Sequence, residues 1–291
     1  MGAPNSLRAQ PTQPCFAFLL RADVHVVCEG RKDQITHRRD VGSFAISDEQ
    51  TAFAFLTDKT TKVSGPVGVV ISTTTIIDLK SMRSSQLRGD NSLVNTCGGI
   101  FWMASPMRDR SDPRDLITGR EIAPPYKWFR CSSDRSVVVG TTDSSGRDLY
   151  RGPSAQVKVA EPGAFSRWTF NISPDGHNIA YFTDTKPLCA VLGSGPAQCV
   201  AGSAVVPERP SINNSGEVLV TVETPDDCFY RSMTDFSPAP ANRSNDICIG
   251  IGYWNPAIKT IQLLEQLGRA PQWIAPATAR LLRNWSASRR N

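Results

Sequence analysis

The segment FNISPDGHNIAYF, residues Phe170–Phe182, has the pattern of a strand, a tight turn and a second strand. Apolar Phe170 and Ile172 alternate with polar Asn171, which is typical of a half-buried strand. Ser-Pro-Asp-Gly at residues 173–176 supplies turn chemistry, and a β-branched and aromatic run follows. Weaker copies of this segment recur along the chain, so the repeat decides the architecture.

Four copies of the segment align without gaps. They begin at Phe44, Phe129, Phe170 and Pro210, with separations of 85, 41 and 40 residues. The first separation is about twice the others and leaves room for a degenerate unit, whose turn we expect at Leu87–Asn91. A period of about 40 to 43 residues is that of a four-stranded propeller blade. The chain is therefore predicted to be an all-β propeller.

The two ends of the chain predict how the propeller closes. Strands expected within residues 16–37 have no copy of the repeat before them, whereas residues 271–284 resemble the start of a further unit that then stops. An unpaired sheet edge invites aggregation, so a propeller pairs its last blade with its first. We expect a composite blade of both stretches, which gives six four-stranded blades closed by pairing the N-terminal strands with a C-terminal inner strand.

The predicted organisation is one propeller domain over residues 15–285. A disordered segment is expected at residues 1–14 and a tail at residues 286–291. An insertion at residues 236–246 is a candidate partner contact, since long loops on rigid scaffolds often carry function. The blades are expected near residues 42–82, 86–125, 127–165, 168–206 and 208–268, with the composite blade formed by 271–284 and 16–37.

The repeat also resembles a known family. The Ser-Pro-Asp-Gly turn followed by Ile179–Tyr181, with Phe170 before it, resembles the repeats of TolB-like six-bladed β-propellers, which are related in architecture to WD-repeat proteins. Residues 34–37, Gln-Ile-Thr-His, are similar to the blade-ending strand of that family. The copies at 44, 129 and 210 lack the proline, and those at 44 and 129 also lack the glycine. The resemblance implies a rigid scaffold that binds at one face or at its axial channel.

The eight cysteines are spaced as possible disulfides. Three pairs flank a turn or loop, and the remaining two cysteines could join neighbouring repeats. The alternative is that these residues are small buried hydrophobic groups. Disulfides persist in oxidising compartments, so we expect a periplasmic or secreted protein, with the cytoplasm as the alternative. Met1–Pro14 lacks the apolar region of a signal peptide. The candidates are Cys15 with Cys28, Cys189 with Cys199, Cys228 with Cys248, and Cys97 with Cys131.

Composition argues against several classes of ligand. The net charge of +5 is spread along the chain without an aromatic-interleaved basic stripe, so we expect no nucleic-acid partner. Apolar runs stay shorter than the roughly 18 residues of a membrane-spanning helix, so no transmembrane segment is expected. Three histidines and the lack of closely spaced cysteine pairs predict no metal site. We expect no cofactor and a monomer.

The residue types that perform catalysis are not arranged for it. Asp134 and Asp175 occupy the same turn position of neighbouring repeats, so we expect them to hydrogen-bond their own turns. The serines at 132, 133 and 173 lack a nucleophile-elbow context, and His25, His37 and His177 are not placed beside them. Residues 143–148 faintly resemble a calcium loop but lack its terminal glutamate. We expect no catalytic residue.

The function best supported by these patterns is a non-enzymatic scaffold that binds a protein or peptide. The alternative is a hydrolase or lyase whose site lies in the axial channel of the propeller. Three or more carboxylate or histidine side chains converging on that channel would favour the enzyme.

Overall fold

A computed structural model describes residues 14–61, 69–89, 95–103, 114–115, 118, 126, 128–141, 148–152, 157–159, 169–183, 188–200, 205–224, 249–258 and 260–290. Within these ranges the chain is an all-β propeller with four-stranded antiparallel blades. Five sheets have four strands each, and a further sheet has three. Among the described residues, no helix is long and apolar enough to cross a membrane.

The strands follow one another around the propeller in chain order. The first are β1 (Phe16–Leu20), β2 (Asp23–Cys28), β3 (Arg31–Gln34), β4 (Val41–Ile46), β5 (Ala52–Thr61), β6 (Val69–Asp78), β7 (Ser84–Gly89), β8 (Asn95–Cys97), β9 (Ile100–Met103) and β10 (Arg114–Asp115). Next come β11 (Trp128–Cys131), β12 (Val138–Thr141), β13 (Tyr150–Arg151), β14 (Val157–Lys158), β15 (Phe170–Ile172), β16 (Asn178–Phe182), β17 (Leu188–Leu192) and β18 (Ala197–Val200). The last are β19 (Ser211–Ile212), β20 (Val218–Glu223), β21 (Ile249–Trp254), β22 (Gln262–Glu265), β23 (Arg269–Trp273) and helix α1 (Pro276–Ser288).

The two ends of the chain share one blade. Its strand order is β23-β1-β2-β3, and β23 runs antiparallel to β1 with Trp273 opposite Phe16 and Gln272 opposite Ala17. A C-terminal inner strand therefore pairs with the N-terminal strands, as the sequence predicted. This pairing removes the free edge that β1 and β23 would each present if they were unpaired.

The predicted inner strand at 271–284 is wrong in its extent. β23 ends at Trp273, and residues 276–288 form α1 instead. Pro276 occupies the first turn of the helix, where a proline costs no hydrogen bond. Ala279, Leu282 and Trp285 recur every three residues and are buried against the propeller. Because the helix reaches Ser288, the predicted tail also begins too early.

The degenerate unit is displaced from its predicted position. Residues 84–89 do not form its turn, because β7 is the outer strand of the first blade and pairs with β6, with Gln86 opposite Thr75. The next sheet begins at Asn95 and has the order β10-β9-β8. Since that sheet has three strands among the described residues, the blade count of six stays a prediction.

The repeat turns confirm the alignment of the copies. The seventh residue of each copy has a positive φ angle, at Gln50 (58°), Arg135 (63°), Gly176 (78°) and Gly216 (81°). Left-handed backbone is uncommon outside glycine, so four occurrences at one repeat position reflect one shared turn geometry. The repeat read from Phe170–Phe182 is therefore structural.

Three of the proposed cysteine pairs form disulfides. Cys15–Cys28 ties the ends of β1 and β2, Cys189–Cys199 bridges β17 and β18, and Cys97–Cys131 joins β8 to β11 of the next sheet. These bonds favour an extracytoplasmic location, because thiols are kept reduced in the cytosol. The predicted partners Cys228 and Cys248 lie outside the described residues, as do the insertion at 236–246, residues 143–147 of the calcium-like loop, and residues 1–13.

Candidate functional site: the axial cavity

The inner strands of the propeller enclose a cavity of about 350 Å³, which we call the axial cavity. Side chains reach it from β4, β11, β15, β19 and β23, and Thr96 of β8 completes the ring. The second residue of each repeat copy lines it, together with the corresponding residue of β23. These residues are Ala45, Arg130, Asn171, Ser211 and Gln272.

Strand alternation places Arg130 in this cavity. Its neighbours in β11, Phe129 and Cys131, are buried in an apolar cluster on the other face of the strand. Arg130 is only 3% exposed. A guanidinium this deeply buried is rare unless it is paired.

The bonding of Arg130 is incomplete. Its Nη1 donates to the carbonyl oxygen of Phe129 at 2.8 Å, and its Cζ lies 5.7 Å from the ring centroid of Phe170. Its Nε and Nη2 are buried and have no hydrogen-bond partner. Burial holds the pKa of the Arg130 guanidinium well below its ordinary value, Arg209 lowers it further, and Asp48 opposes both. An anion in the cavity would supply the missing acceptors.

Asp48 and Arg209 complete the charged lining. Asp48 accepts hydrogen bonds from Thr96 Oγ1 at 3.1 Å and from the Gly98 amide at 3.0 Å. Burial raises the pKa of Asp48, and these hydrogen bonds and the charge of Arg209 oppose the increase. Burial lowers the pKa of Arg209, with Asp48 opposing. Among the described residues that line the cavity, two are cationic, one is a carboxylate and none is a histidine.

Two amide side chains of the cavity, those of Asn171 and Gln272, hold neighbouring blades together. Asn171 Nδ2 donates to the carbonyl of Pro210 at 3.0 Å, in the next blade. Gln272 bonds the backbone of Ile46 twice, accepting at 3.0 Å and donating at 2.9 Å. The polar atoms of Asn171 and Gln272 are therefore bonded within the protein, whereas Nε and Nη2 of Arg130 are not.

Contacts between neighbouring repeat turns fix the rim of the cavity. Gly98 donates to Asp48 of the preceding blade, and its carbonyl accepts from Nε and Nη2 of Arg135 in the following blade at 3.2 and 3.0 Å. Ser133 donates its amide to the carbonyl of Pro174 at 2.7 Å. Asn214 accepts from the amide of Asp175 at 3.0 Å. A rim held in this way arranges the cavity before a ligand arrives.

The turn aspartates have the role that the repeat predicted. Asp134 accepts from Ser132 Oγ at 2.7 Å and from the Ser136 amide at 2.9 Å, and these bonds lower the pKa of Asp134 to about 2. Asp175 accepts from Ser173 Oγ and from the His177 amide. The hydroxyls of Ser132 and Ser173 are used in the same turns. None of these groups lines the axial cavity as a free acid, base or nucleophile.

The histidines do not line the axial cavity, although His25 and His37 lie close enough for their charges to interact. His25 lies in β2 with its ring centroid 5.7 Å from that of Phe18, and burial, followed by the charge of Lys32, lowers the pKa of His25. His177 lies in a repeat turn and His37 follows β3. The described residues contain no group of three His, Cys, Asp or Glu side chains that could hold a metal ion.

Sequence reasoning did not single out Arg130, Arg209 or Asp48. A signal was present for Arg130, because it stands between Phe129 and Cys131 in a predicted inner strand, where a charged side chain is costly. Asp48 had no such signal, since it occupies a turn position at which a polar residue is ordinary.

No protein-family model matches the sequence, and no curated protein matches it. The structure is similar to that of a quinonprotein alcohol dehydrogenase-like protein from Bacteroides thetaiotaomicron, with a TM-score of 0.51, 11% identity, and coverage of 90% of this chain and 78% of that one. An oligogalacturonate lyase in complex with manganese gives a TM-score of 0.43 at 13% identity, covering 73% of this chain and 72% of that one. The acylaminoacyl peptidase of Pyrococcus horikoshii gives 0.44 at 10% identity, covering 83% of this chain and 42% of that one. Of these three, the first has a TM-score above 0.5, and at 11% identity it shows the fold alone.

Proposed function

We propose that this protein is a non-enzymatic propeller scaffold that binds a protein or peptide partner through a carboxylate seated in the axial cavity. One observation carries the proposal, namely the two buried nitrogens of Arg130 that have no partner. Nε and Nη2 share one edge of the planar guanidinium. Two parallel N–H groups on one edge match the two oxygens of a carboxylate, which is the strong bidentate form of this pair.

The size and lining of the cavity limit which ligands can bind there. A volume of about 350 Å³ admits one side chain or a chain terminus rather than a folded surface. The side chains of Asn171 and Gln272, which line the cavity, are already bonded between blades, so they offer few groups for reading a long sequence. The partner is therefore a flexible segment that presents an aspartate, a glutamate or its own C-terminus.

Several finer features belong to the same proposal. We take the three-stranded sheet as the sixth blade of a TolB-like propeller, because the rim contacts pass through Gly98 from the blade before it to the blade after it. We take residues 15–288 as one domain, monomeric and without a nucleic-acid partner. The three disulfides support a periplasmic or secreted location.

A hydrolase or lyase in the axial channel is the second candidate, and one observation favours it. Asp48 is a buried carboxylate whose pKa is raised, and such groups cluster at catalytic sites. The carboxylate is nevertheless held by Thr96 and Gly98, and it is the one acid among the described lining residues. The convergence of three acids or histidines that would favour an enzyme is not seen in that set.

Calorimetric titration with matched peptides tests the proposal. Acetyl-triglycine with a free carboxylate is compared with its C-terminal amide, on the wild type and on Arg130→Met. We expect the wild type to bind the acid and not the amide. Arg130→Met should weaken binding by about 30-fold or more, because hydrogen bonds to a charged group contribute about 1.5–3 kcal/mol each.

The matched control is Arg280→Gln, which removes an exposed arginine of α1 that does not line the axial cavity. It should leave the affinity unchanged. Equal binding of acid and amide, or full affinity in Arg130→Met, would reject the scaffold proposal. Mass spectrometry of the same mixtures detects cleavage. A cleaved peptide would favour the hydrolase or lyase over the scaffold.

A further inference from the structure

A second cavity lies beneath helix α1 and shares no lining residue with the axial cavity. We call it the helix cavity. It has a volume of about 340 Å³ and is enclosed by α1, the segment that follows β3, and the outer part of the first blade. Its apolar surface comes from Ile35, Phe55 and Trp285. A lining of aliphatic and aromatic groups at this volume is typical of a site for a small organic ligand.

Trp285 is the unexplained residue of this cavity. It is 7% exposed, and its ring centroid lies 6.1 Å from that of Phe53 and 6.2 Å from that of Phe55. Its indole Nε1–H is buried and has no hydrogen-bond partner. A buried tryptophan usually finds an acceptor, as Trp254 does at the carbonyl of Ile258. Because Trp285 lines the helix cavity, a ligand bound there can supply the acceptor that the indole N–H lacks.

The rim of the helix cavity is cationic. Arg289 donates to the hydroxyl of Ser84 at 3.0 Å, and Arg290 donates to that of Ser286 at 3.4 Å. Both partners are neutral, so these contacts leave the arginine charges uncompensated. Arg38 is also at the rim, paired with Asp40 at 3.2 Å. The described residues that line the cavity include no carboxylate.

We propose that the helix cavity binds a small aromatic carboxylate that carries a second oxygen at the far end of its ring. The ring packs on Phe55 and Trp285, the far oxygen accepts from Trp285 Nε1, and the carboxylate meets Arg289 and Arg290 at the exposed rim. This arrangement matches each feature of the cavity, from its buried donor to its charged mouth. It does not depend on the axial cavity or its ligand.

Three matched probes test this assignment by calorimetry on the whole chain. 4-Hydroxyphenylacetate has the ring, the carboxylate and the far hydroxyl; phenylacetate lacks the hydroxyl; tyramine replaces the carboxylate with an ammonium group. We expect 4-hydroxyphenylacetate to bind best, phenylacetate about tenfold more weakly, and tyramine not at all. The tenfold loss reflects a buried donor left without its acceptor.

Variants identify the residues. Trp285→Phe should weaken 4-hydroxyphenylacetate about tenfold more than it weakens phenylacetate, because both probes lose packing on the indole but only the first loses a hydrogen bond from the indole N–H. The double variant Arg289→Gln/Arg290→Gln changes exposed residues and should weaken both acids about fivefold or more. Arg280→Gln, on the same helix but not lining the cavity, should change neither.

The proposal fails if tyramine binds as well as the acids, if none of the probes binds at millimolar concentration, or if both acids keep their affinity in the double arginine variant. Should Trp285→Phe unfold, the probe series and the arginine variants still decide. Arg130→Met should bind 4-hydroxyphenylacetate like the wild type, which separates this site from the axial cavity.

Discussion

Strands β11 and β15 occupy the same position in neighbouring blades, yet they use the second residue of the repeat in opposite ways. In β15, Asn171 donates to the carbonyl of Pro210 and accepts from the amide of Ile172, so its polar atoms are bonded within the protein. In β11, Arg130 is buried with two nitrogens unbonded. The same backbone position thus stabilises the scaffold in one blade and leaves donors for a ligand in the other.

The comparison extends along each repeat. The first turn residue is a serine in three copies, Ser47, Ser132 and Ser173, and in each its Oγ accepts from backbone amides within the turn. The second repeat position varies from alanine to arginine, asparagine and serine. Repetition therefore marks the residues that build the fold, and variation at a position facing the axis marks the residues that distinguish the site.

The largest effect is expected in the β15 turn. Gly176 has φ +78°, and a Cβ there would lie 2.9 Å from Cβ of Val137. Gly176→Ala should lower the free energy of unfolding by about 2–4 kcal/mol, because strain in the left-handed region adds to a clash with a branched side chain. Gly193 has φ +58° with open space around it, so Gly193→Ala should cost about 1 kcal/mol. Urea denaturation measures both, and equal losses would show that the rim packing is loose.

The next largest effect is expected in β15, where Asn171 bonds the neighbouring blade. Asn171→Leu should lower the free energy of unfolding by about 1–3 kcal/mol, because it leaves the Pro210 carbonyl and the Ile172 amide without partners. The control Asn284→Leu, at an exposed position of α1, should stay within about 0.5 kcal/mol. A neutral Asn171→Leu would mean that the bonds across the blades add no stability, and the contrast with Arg130 would disappear.

A smaller effect is expected from the charge of Asp48, which changes the affinity of the axial cavity for anions. The pKa of Asp48 is raised above its ordinary 3.8, so the folded protein holds this proton up to a higher pH than the unfolded chain does. Protonation removes the negative charge that competes with a bound anion. Sulfate, which keeps its charge across this range, should therefore bind more tightly as the pH falls through the pKa of Asp48.

Asp48→Asn should bind sulfate about fivefold more tightly at neutral pH, since a nearby like charge costs on the order of 1 kcal/mol. Its affinity should be flat where that of the wild type rises. The pH dependence of the free energy of unfolding has the opposite sign from that of an ordinary salt-bridged acid, whose pKa is lowered by folding. The stabilisation from a neutral Asp48 is complete below the unfolded pKa and is lost as the pH rises through the folded pKa. If the sulfate affinity of Asp48→Asn changed with pH in the same way as that of the wild type, Asp48 would not be the titrating group at the site.

The parts of this molecule that were predictable from sequence are those encoded locally or by period. Phe170–Phe182 and its copies carry their own turn hydrogen bonds, and the cysteines at 15 and 28 lie across one hairpin, so both were visible along the chain. Helix α1 was missed because the start of β23 matches the repeat and the strand prediction was extended too far. β7 was missed because its polar residues 84–89 lack the apolar alternation of a strand.

The axial cavity was beyond sequence reasoning for a different reason. Whether Arg130 has a partner depends on which side chains arrive from other inner strands, and those strands are separated by tens to hundreds of residues. Asn171 and Arg130 have equivalent surroundings in sequence, each flanked by apolar residues. Only the fold shows that Pro210 meets one of them and that no acceptor meets two nitrogens of the other.

The central claim is that Arg130 binds an anion and that, without the anion, the buried guanidinium lowers the stability of the folded protein. One measurement tests this claim most directly. Urea denaturation of the wild type and Arg130→Met is followed with and without saturating sulfate. Without sulfate we expect Arg130→Met to be more stable by about 1–3 kcal/mol, because replacing an unpaired buried charge with an apolar side chain removes a desolvation penalty.

Sulfate should then raise the stability of the wild type by about 2–3 kcal/mol at a hundredfold excess over its dissociation constant, and leave Arg130→Met unchanged. The opposite result would contradict the account: an Arg130→Met protein that is less stable without sulfate, and that gains as much stability from sulfate as the wild type does.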